Sequence, residues 1–546
     1  IKNMPPKSRV FINGNILTMD ENNTVAEAVA LRRDKIVAVG TNEKIKKLIK
    51  AGTKVVDLEG KTLIPGFVDA HSHFPAGGLS AVAVDVNSPP IGDIKNISEL
   101  ISAMKKKADK TKKGKWILGY GYDDTVLEEM RHPTRYDLDK VSTEHPIVIA
   151  HISWHVTAVN SLALELLGID KNTENPEGGV IQRDPETGEP NGVLEENAGE
   201  DAYREALHFS LPEQLAITMR GVKKYASAGI TTAQNGLTDK EMLMPLAAAS
   251  RVGLIPFRLE MWPGADVWDK VLAGKMKKDK YDTEKLRMGV VKLFADGSIQ
   301  ARTGYLREPY HTPGPDGDET FRGYPIQSRE KLAEMVTKYH GAGLQMAIHG
   351  NGDAAIDDII YAVSKAQEAH PREDPRHILI HGQMTRPDQL DEFKRLGITP
   401  SYHAVHPFYW GDRHHYIFMG TERASRISPM KTTIEKGVRF SIHTDAPVVP
   451  QDQLFLVWCA VNRITSGGRV IGKAERITPM QALRAVTIDS AWQVFQEDNR
   501  GSVEPYKYAD LVILSDNPIE NPETIRDIKV LETIVGGKTI YKEGIH

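Results

Sequence analysis

The sequence predicts an α/β protein built on a (β/α)8 TIM barrel. It also predicts an inserted subdomain after strand 1 and a small β-sandwich domain assembled from both termini. Three observations carry this reading. Short apolar runs ending in polar residues recur eight times after residue 63, most of them are separated by helical patterns, and strand-like alternation is concentrated at the two chain ends. Strands alternating with helices imply a parallel sheet, and eight such units imply a barrel.

The N-terminal part reads as strands. "RVFINGNILTMD" (9–20) alternates and carries an Asn-Gly turn, and "AEAVALRRDKIVAVG" and "TKVVDLEGKTLIPG" follow it. The C-terminal part matches, with "ADLVILSD" (509–516) and "VLETIVGGKTIYKEG" (530–544), the latter around a Gly-Gly turn. Residues 1–62 and 500–546 are therefore expected to form one composite β-domain around a barrel of 63–499. The eight runs are "LIPGFVDAHSH" (63–73), "GITTAQN" (229–235), "IPFRLEMW" (255–262), "MGVVKLFADGS" (288–298), "LQMAIHGNGD" (344–353), "HILIHGQ" (377–383), "GITPSYHA" (397–404) and "VRFSIHTDAP" (438–447). The long gap after the first run, 75–210, reads as the insertion, placed over the C-terminal face where such barrels carry their sites. An open doubly wound sheet would need a Gly-rich nucleotide loop after its first strand, and none is present.

Composition narrows the function. The 546 residues are 40% hydrophobic and 26% charged with net charge −4, which gives no electrostatic footprint for nucleic acid or an anionic membrane. The apolar runs are too short to span a bilayer. A single cysteine, Cys459, excludes an intramolecular disulfide and points to a reducing, cytoplasmic compartment. No secretory signal is recognisable. The expected partner is a small-molecule substrate, with a homodimer left open.

The chemistry sits at the ends of the runs. Asp69, His71 and His73 alternate, so in a strand they share one face. Lys292, His349, His381 and Asp445 end the fourth, fifth, sixth and eighth runs. A barrel brings those ends to one mouth, and imidazole and carboxylate donors suit zinc or a similar divalent ion. Taken singly each residue has a plain alternative: a satisfied core histidine, a salt-bridged lysine, a capping aspartate. Six at the same end of five strands favour a metal site.

These motifs resemble the amidohydrolase superfamily of metal-dependent hydrolases, in particular the amidohydrolase-3 branch that contains N-substituted formamide deformylases. The residues carrying the resemblance are "PGFVDAHSH", "VVKLFADGS", "AIHGNGD", "LIHGQ" and "SIHTDAPV", with "HISWHVTAVNS" (151–161) in the insertion and the split β-domain. The resemblance implies a binuclear centre: His71, His73 and Asp445 on one metal, His349 and His381 on the other, and a carboxylated Lys292 bridging two ions, expected to be zinc. It implies cleavage of a C–N bond of an amide, N-acyl or N-formyl compound by a metal-activated hydroxide, with Asp445 as general acid/base. A bare ammonium has no lone pair to offer a cation, whereas a lysine carbamate supplies oxygen ligands.

Rival readings are a deaminase, which would have to use Asp353 as its base, a lactone or ester hydrolase on the same metals, and a non-catalytic regulatory protein that kept the barrel. A cysteine ligand of the D-aminoacylase kind is ruled out by the position of Cys459, which reads as core. Trp154, His155, Asp296 and His443 are candidate substrate contacts. Asn351 and Asp353 could orient His349 or cap the next helix. "YHAVHPFYW" (402–410) could wall a pocket, and His414 and His415 are expected at the surface.

Overall fold

The computed structural model describes residues 8–544; the outermost residues of the expected β-domain, 1–7 and 545–546, lie outside them. The protein is a mixed α/β structure whose central strands are all parallel. They are β1 (Phe67–Val68), β2 (Ile230–Thr238), β3 (Arg258–Pro263), β4 (Val290–Phe294), β5 (Gln345–Gly350), β6 (His377–His381), β7 (Ile398–Tyr402) and β8 (Ser441–Ile442). One sheet runs Leu286–Met288, β3, β2, β1, and a second runs β4 through β8 in chain order. The ladder does not close into a continuous barrel among the described residues. Two seams remain, and backbone contacts cross both: Gly264 bridges Lys292 at one. At the other, Asp445 N donates to His71 O at 3.1 Å and His73 N to Ala446 O at 2.8 Å.

Burial explains the strand composition. Every residue of β5, β6 and β7 is buried, which is why these strands read as unbroken runs and not as alternation. Every strand contributes to a single apolar core, through Phe67, Ile230, Leu259, Val291, Ile348, Leu379, Ile398 and Ile442 among others. Helices return the chain between strands. Leu211–Ser227 precedes β2 and starts at a Ser210/Glu213 capping box with proline in its first turn. Arg329–Gly341 and Asp353–Ala369 flank β5 and pack on each other. No helix among the described residues is long and apolar enough to cross a membrane.

Two further sheets lie near the chain ends, the second built from both of them. One orders Lys35–Gly40, Ala28–Arg32, Ser8–Ile12 and Lys54–Asp57; the other orders Lys538–Lys542, Val530–Val535, Leu511–Leu514, Thr62–Pro65, Asn15–Leu17 and Val25–Ala26. Phe11, Val29, Leu31, Leu63, Leu511 and Ile534 share the core between them. Between β1 and β2 in sequence lies a six-stranded mixed sheet from Val84–Asp85 to Pro190–Glu196, with an apolar cluster centred on Val148, Val159 and Leu194 and another on Met104, Ile147 and Ile149.

Five local expectations fail. Residues 63–73 are not one strand. Thr62–Pro65 pairs with Leu511–Leu514, and only Phe67–Val68 joins the central sheet. Gly66 makes the switch, because a Cβ there would sit 2.1 Å from the Thr231 side chain. Residues 69–72 are irregular, so Asp69, His71 and His73 do not share a strand face. The strands flanking Asn13-Gly14 do not pair as a hairpin but enter different sheets, with Gly14 pressed against Leu58. The eighth run shrinks to the two residues of β8. His414 is fully buried, not superficial, because its Nε2 meets the Gln383 side-chain amide at 2.7 Å.

The parallel core and the terminal sheets are joined by a buried ion pair. Arg258 on β3 donates to both Asp510 oxygens, Nε at 2.7 Å and Nη2 at 3.3 Å, and its guanidinium lies 3.6 Å from the Tyr508 ring centre. Both side chains are 3% exposed, so removing one partner leaves a dry, uncompensated charge. Asp510→Ala is expected to destabilise the protein by about 3–5 kcal/mol. Urea unfolding measures this, and a loss below about 1 kcal/mol, the range of exposed pairs, would show that the pair is not a structural joint.

Candidate metal centre

The irregular segment after β1 is held in place on all sides. Asp69 N donates to Thr232 O at 2.9 Å and Gly236 N to Ser72 O at 2.7 Å. The Ser72 hydroxyl bonds the Asp69 carboxylate and accepts from Tyr225 OH. Position 236 must be glycine, since a Cβ would lie 2.2 Å from His71 Cε1. Trp262 on β3 stacks on the His71 ring at 5.8 Å. Opposite, Asp445 follows β8 with φ 57° and His381 ends β6 with φ 77°. Both are left-handed conformations that side chains rarely adopt away from constrained sites.

These segments bring His71, His73, Lys292, His381 and Asp445 together. Asp445 Oδ1 lies 3.1 Å from His73 Nε2 and 3.4 Å from His71 Nε2, and Oδ2 lies 3.7 Å from His381 Nε2. Lys292 Nζ is 3.3 Å from His71 Nε2. His349 joins through its ring, 4.6 Å from that of His381. Despite its neighbours, Asp445 Oδ1 is buried without a hydrogen-bond partner of good geometry.

Proton counting shows where the lone pairs point. Gln234 Nε2 donates to Ala70 O, so its Oε1 must accept from His71 Nδ1 at 2.8 Å. The bare nitrogen of His71 is therefore Nε2, facing Asp445 and Lys292. His349 Nε2 donates to Gly297 O at 3.0 Å, which leaves Nδ1 bare. A buried oxygen without a partner, converging with a bare imidazole nitrogen, is a donor set that fits a divalent cation.

Burial sets the electrostatics. It lowers His71, His349 and His381 well below the ordinary imidazole range, so these rings are neutral at neutral pH. It lowers Lys292 to about 7, against which Asp445 pulls upward only in part. Burial pushes Asp445 up, but the imidazoles of His71, His73 and His443 outweigh it and hold the carboxyl well below its usual range.

The other candidates sit around this group. His155 reaches in from the six-stranded sheet region, its ring 4.8 Å from that of His349, with Nδ1 2.9 Å from Glu196 Oε2. Burial depresses His155, yet Glu196 more than compensates and raises it. Asp296 lies 3.9 Å from His349 Nε2 but is committed to the loops, accepting from the amides of Tyr305, Asn351 and Gly352. His443 bonds His381 Nδ1 at 3.1 Å. Trp154 packs between Tyr120 and Tyr203, not at the metal group. Asn351 Nδ2 lies 3.3 Å from His349 Nε2 and 2.9 Å from Gly297 O, whereas Asp353 faces away and pairs with Arg386 at 3.0 Å.

Cys459 is buried. His403 and His406, in the aromatic segment after β7, are buried as well, and neither nitrogen of His403 has a partner. Ligand atoms of His381, His403 and His443 lie within 4.8 Å of one another, as do those of Asp123, Asp124 and His151. The latter three form a closed network in which His151 Nε2 meets Asp124 at 3.0 Å and Asp123 is taken by Arg413, Trp410 and Thr125. Gln234 and Gln383 had no spacing signal in the sequence.

The buried imidazoles make the metal-free protein acid-sensitive. Burial lowers His403 to about 4 and His414 to about 3, and it lowers His71, His349, His377, His381, His406 and His443 in the same sense. Below pH 6.5 the unfolded chain binds protons that the folded chain refuses, so stability falls with pH, by up to about 1.4 kcal/mol per group per pH unit. Burial raises Asp69 and Asp296 to about 7, which acts in the opposite direction but involves fewer groups. Chelator-treated protein should unfold at lower urea at pH 5.5 than at pH 7.5. An equal or higher midpoint at pH 5.5 would contradict the neutral, buried imidazoles.

Comparison with known proteins places the chain as a whole. The chain is 28% identical over 554 aligned residues to N-substituted formamide deformylase of Arthrobacter pascens, covering 98% of each chain. It is 30% identical to the protein LONG AFTER FAR-RED 3 of Arabidopsis thaliana, over 97% of this chain and 91% of that one. A metal-dependent hydrolase of Pyrococcus horikoshii superposes with a TM-score of 0.75 at 26% identity, covering 94% of this chain and 99% of that one. The family model described as "Amidohydrolase family" matches residues 54–541. Donor geometry and whole-chain similarity thus lead to one conclusion: the protein is a metal-dependent hydrolase that belongs to the amidohydrolase family.

Proposed function

We propose that the protein hydrolyses a C–N bond in a small amide, N-acyl or N-formyl compound at a pair of divalent metal ions. The observation that carries this is the partnerless Asp445 Oδ1 between His71 and His73, beside the buried amine of Lys292. His71, His73 and Asp445 would hold one ion, and His349 and His381 the other. Imidazole and carboxylate donors suit zinc. When bound, the ions supply Lewis-acid activation of water and of the scissile carbonyl. Asp445 stays ionised, so it can take the proton of the attacking water and deliver it to the amine as the C–N bond breaks. With its value near 7, Lys292 has a neutral fraction that can add CO2, releasing a proton and forming a carbamate able to bridge both ions.

His155, held by Glu196, is read as a donor to the substrate oxygen. Asp353 is engaged by Arg386 and by Arg307 N, which argues against its serving as a deaminase base. The two parallel sheets are read as the halves of a (β/α)8 barrel over 63–499, with 75–210 covering its mouth and the terminal sheets forming a composite β-domain. The reach of His155 to His349 supports that cover. A cytoplasmic location rests on the single buried cysteine.

Elemental analysis should find close to two divalent ions per chain, and one or fewer would overturn the binuclear reading. Asp445→Asn should lose on the order of 10²–10⁴ in kcat on an N-formyl or N-acyl amine, and near wild-type turnover would remove Asp445 from the proton path. Lys292→Ala should bind metal weakly and be nearly inactive. His155→Ala should raise KM while metal content stays normal, and unchanged kinetics would return His155 to a structural role. Ammonia released from a heterocyclic amine, with no turnover of amides, would favour a deaminase.

A further inference from the structure

We infer that a buried relay of four side chains, Gln493, Ser441, Ser401 and His443, fixes the tautomer of His381 and aims its bare Nε2 at the metal group; this rests on the metal reading above. The relay follows from proton counting. Gln493, on the helix Ile488–Gln493, directs its side-chain nitrogen at Pro400 O and at Thr399 Oγ1, both at 2.8 Å. Pro400 O can only accept, and the Thr399 hydroxyl already donates to Arg439 O at 2.7 Å. The Gln493 amide therefore has one orientation, with Oε1 facing Ser441 Oγ at 2.5 Å.

That oxygen can only accept, so it takes the single Ser441 hydroxyl proton. Ser441 and Ser401 Oγ lie 2.8 Å apart, and the proton between them must come from Ser401. Ser401 then has none left for His443, so His443 Nδ1 donates to Ser401 at 2.8 Å. A neutral His443 thus presents a bare Nε2 and accepts from His381 Nδ1 at 3.1 Å. His381 is left with its lone pair on Nε2, the atom 3.7 Å from Asp445 Oδ2. All five residues are buried, none more than 5% exposed, so water cannot substitute for a missing link. These four are positioning residues, and none of them touches the reacting atoms in this scheme.

Two variants break the relay at different links, Ser401→Ala and Gln493→Met, and Ser401→Thr restores the hydroxyl. Zinc affinity is measured by competition with a chelator, and the melting temperature of the metal-free protein is measured in parallel. Both breaks should weaken binding of the His381-dependent zinc by roughly 10- to 100-fold, with Ser401→Thr recovering most of it. A fall in melting temperature with unchanged zinc affinity would overturn the relay and leave a structural role only. A second readout is independent of metal. Nitrogen-15 spectra of histidine-labelled, metal-free protein, assigned by loss of the His381 signals in His381→Gln, should show a protonated Nδ1 and bare Nε2. Failure of the wild type to bind zinc would sink the metal reading, whereas a protonated His381 Nε2 would sink the relay whether or not zinc binds.

Discussion

The carboxylate of Asp445 is the charge around which the interior is organised. It is buried among His71, His73, His381 and His443, and burial keeps His71, His381 and His443 neutral. A negative charge in a dry interior is costly unless neighbours answer it, and neutral imidazoles that turn lone pairs towards it, as His71 does, leave it unanswered. That arrangement leaves a deficit of positive charge at one point in space. The strained backbone at Asp445 and His381 places these two side chains at that point, and the seam between β1 and β8 is where the two arms of the group meet.

Neutrality then has to be enforced one nitrogen at a time. A neutral imidazole can turn either a proton or a lone pair inward, and only one of these is useful next to a cation. Gln234 makes this choice for His71, and Gly297 makes it for His349. These partners are ordinary polar groups, one on β2 and one in the loop after β4, and each accepts the ring proton that would otherwise face inward. In this chain the orientation of the two rings thus depends on an amide and a carbonyl lying behind them.

The sequence made part of this legible. His71, His73, Lys292, His349, His381 and Asp445 stood out because each ends an apolar run, and the parallel order of β4 to β8 could be read from the alternation of runs and helices. Gln234, Ser401, Ser441 and Gln493 could not be found this way. They are single polar residues at buried positions, and a hydrogen bond between distant segments leaves no period in a sequence. The same limit hid the burial of His414, whose neighbours His415 and Tyr416 are more exposed. The break at Gly66 was hidden for a different reason. Two strands of different sheets separated by one residue look like one strand, because both are buried and apolar.

That break gives the molecule a particular relation to time. Ile64 pairs with Val512, about 450 residues later in the chain, while Phe67, three residues beyond Ile64, already belongs to the central sheet. On a ribosome adding roughly 5–20 residues per second, the segment that leads into His71 and His73 waits roughly 20–90 s for its partner strand to be made. During that wait Thr62–Pro65 lacks one of its neighbours in the sheet, and an unpaired strand edge is a surface that other chains can join. A strand made before the central sheet is thus completed only by one made after it.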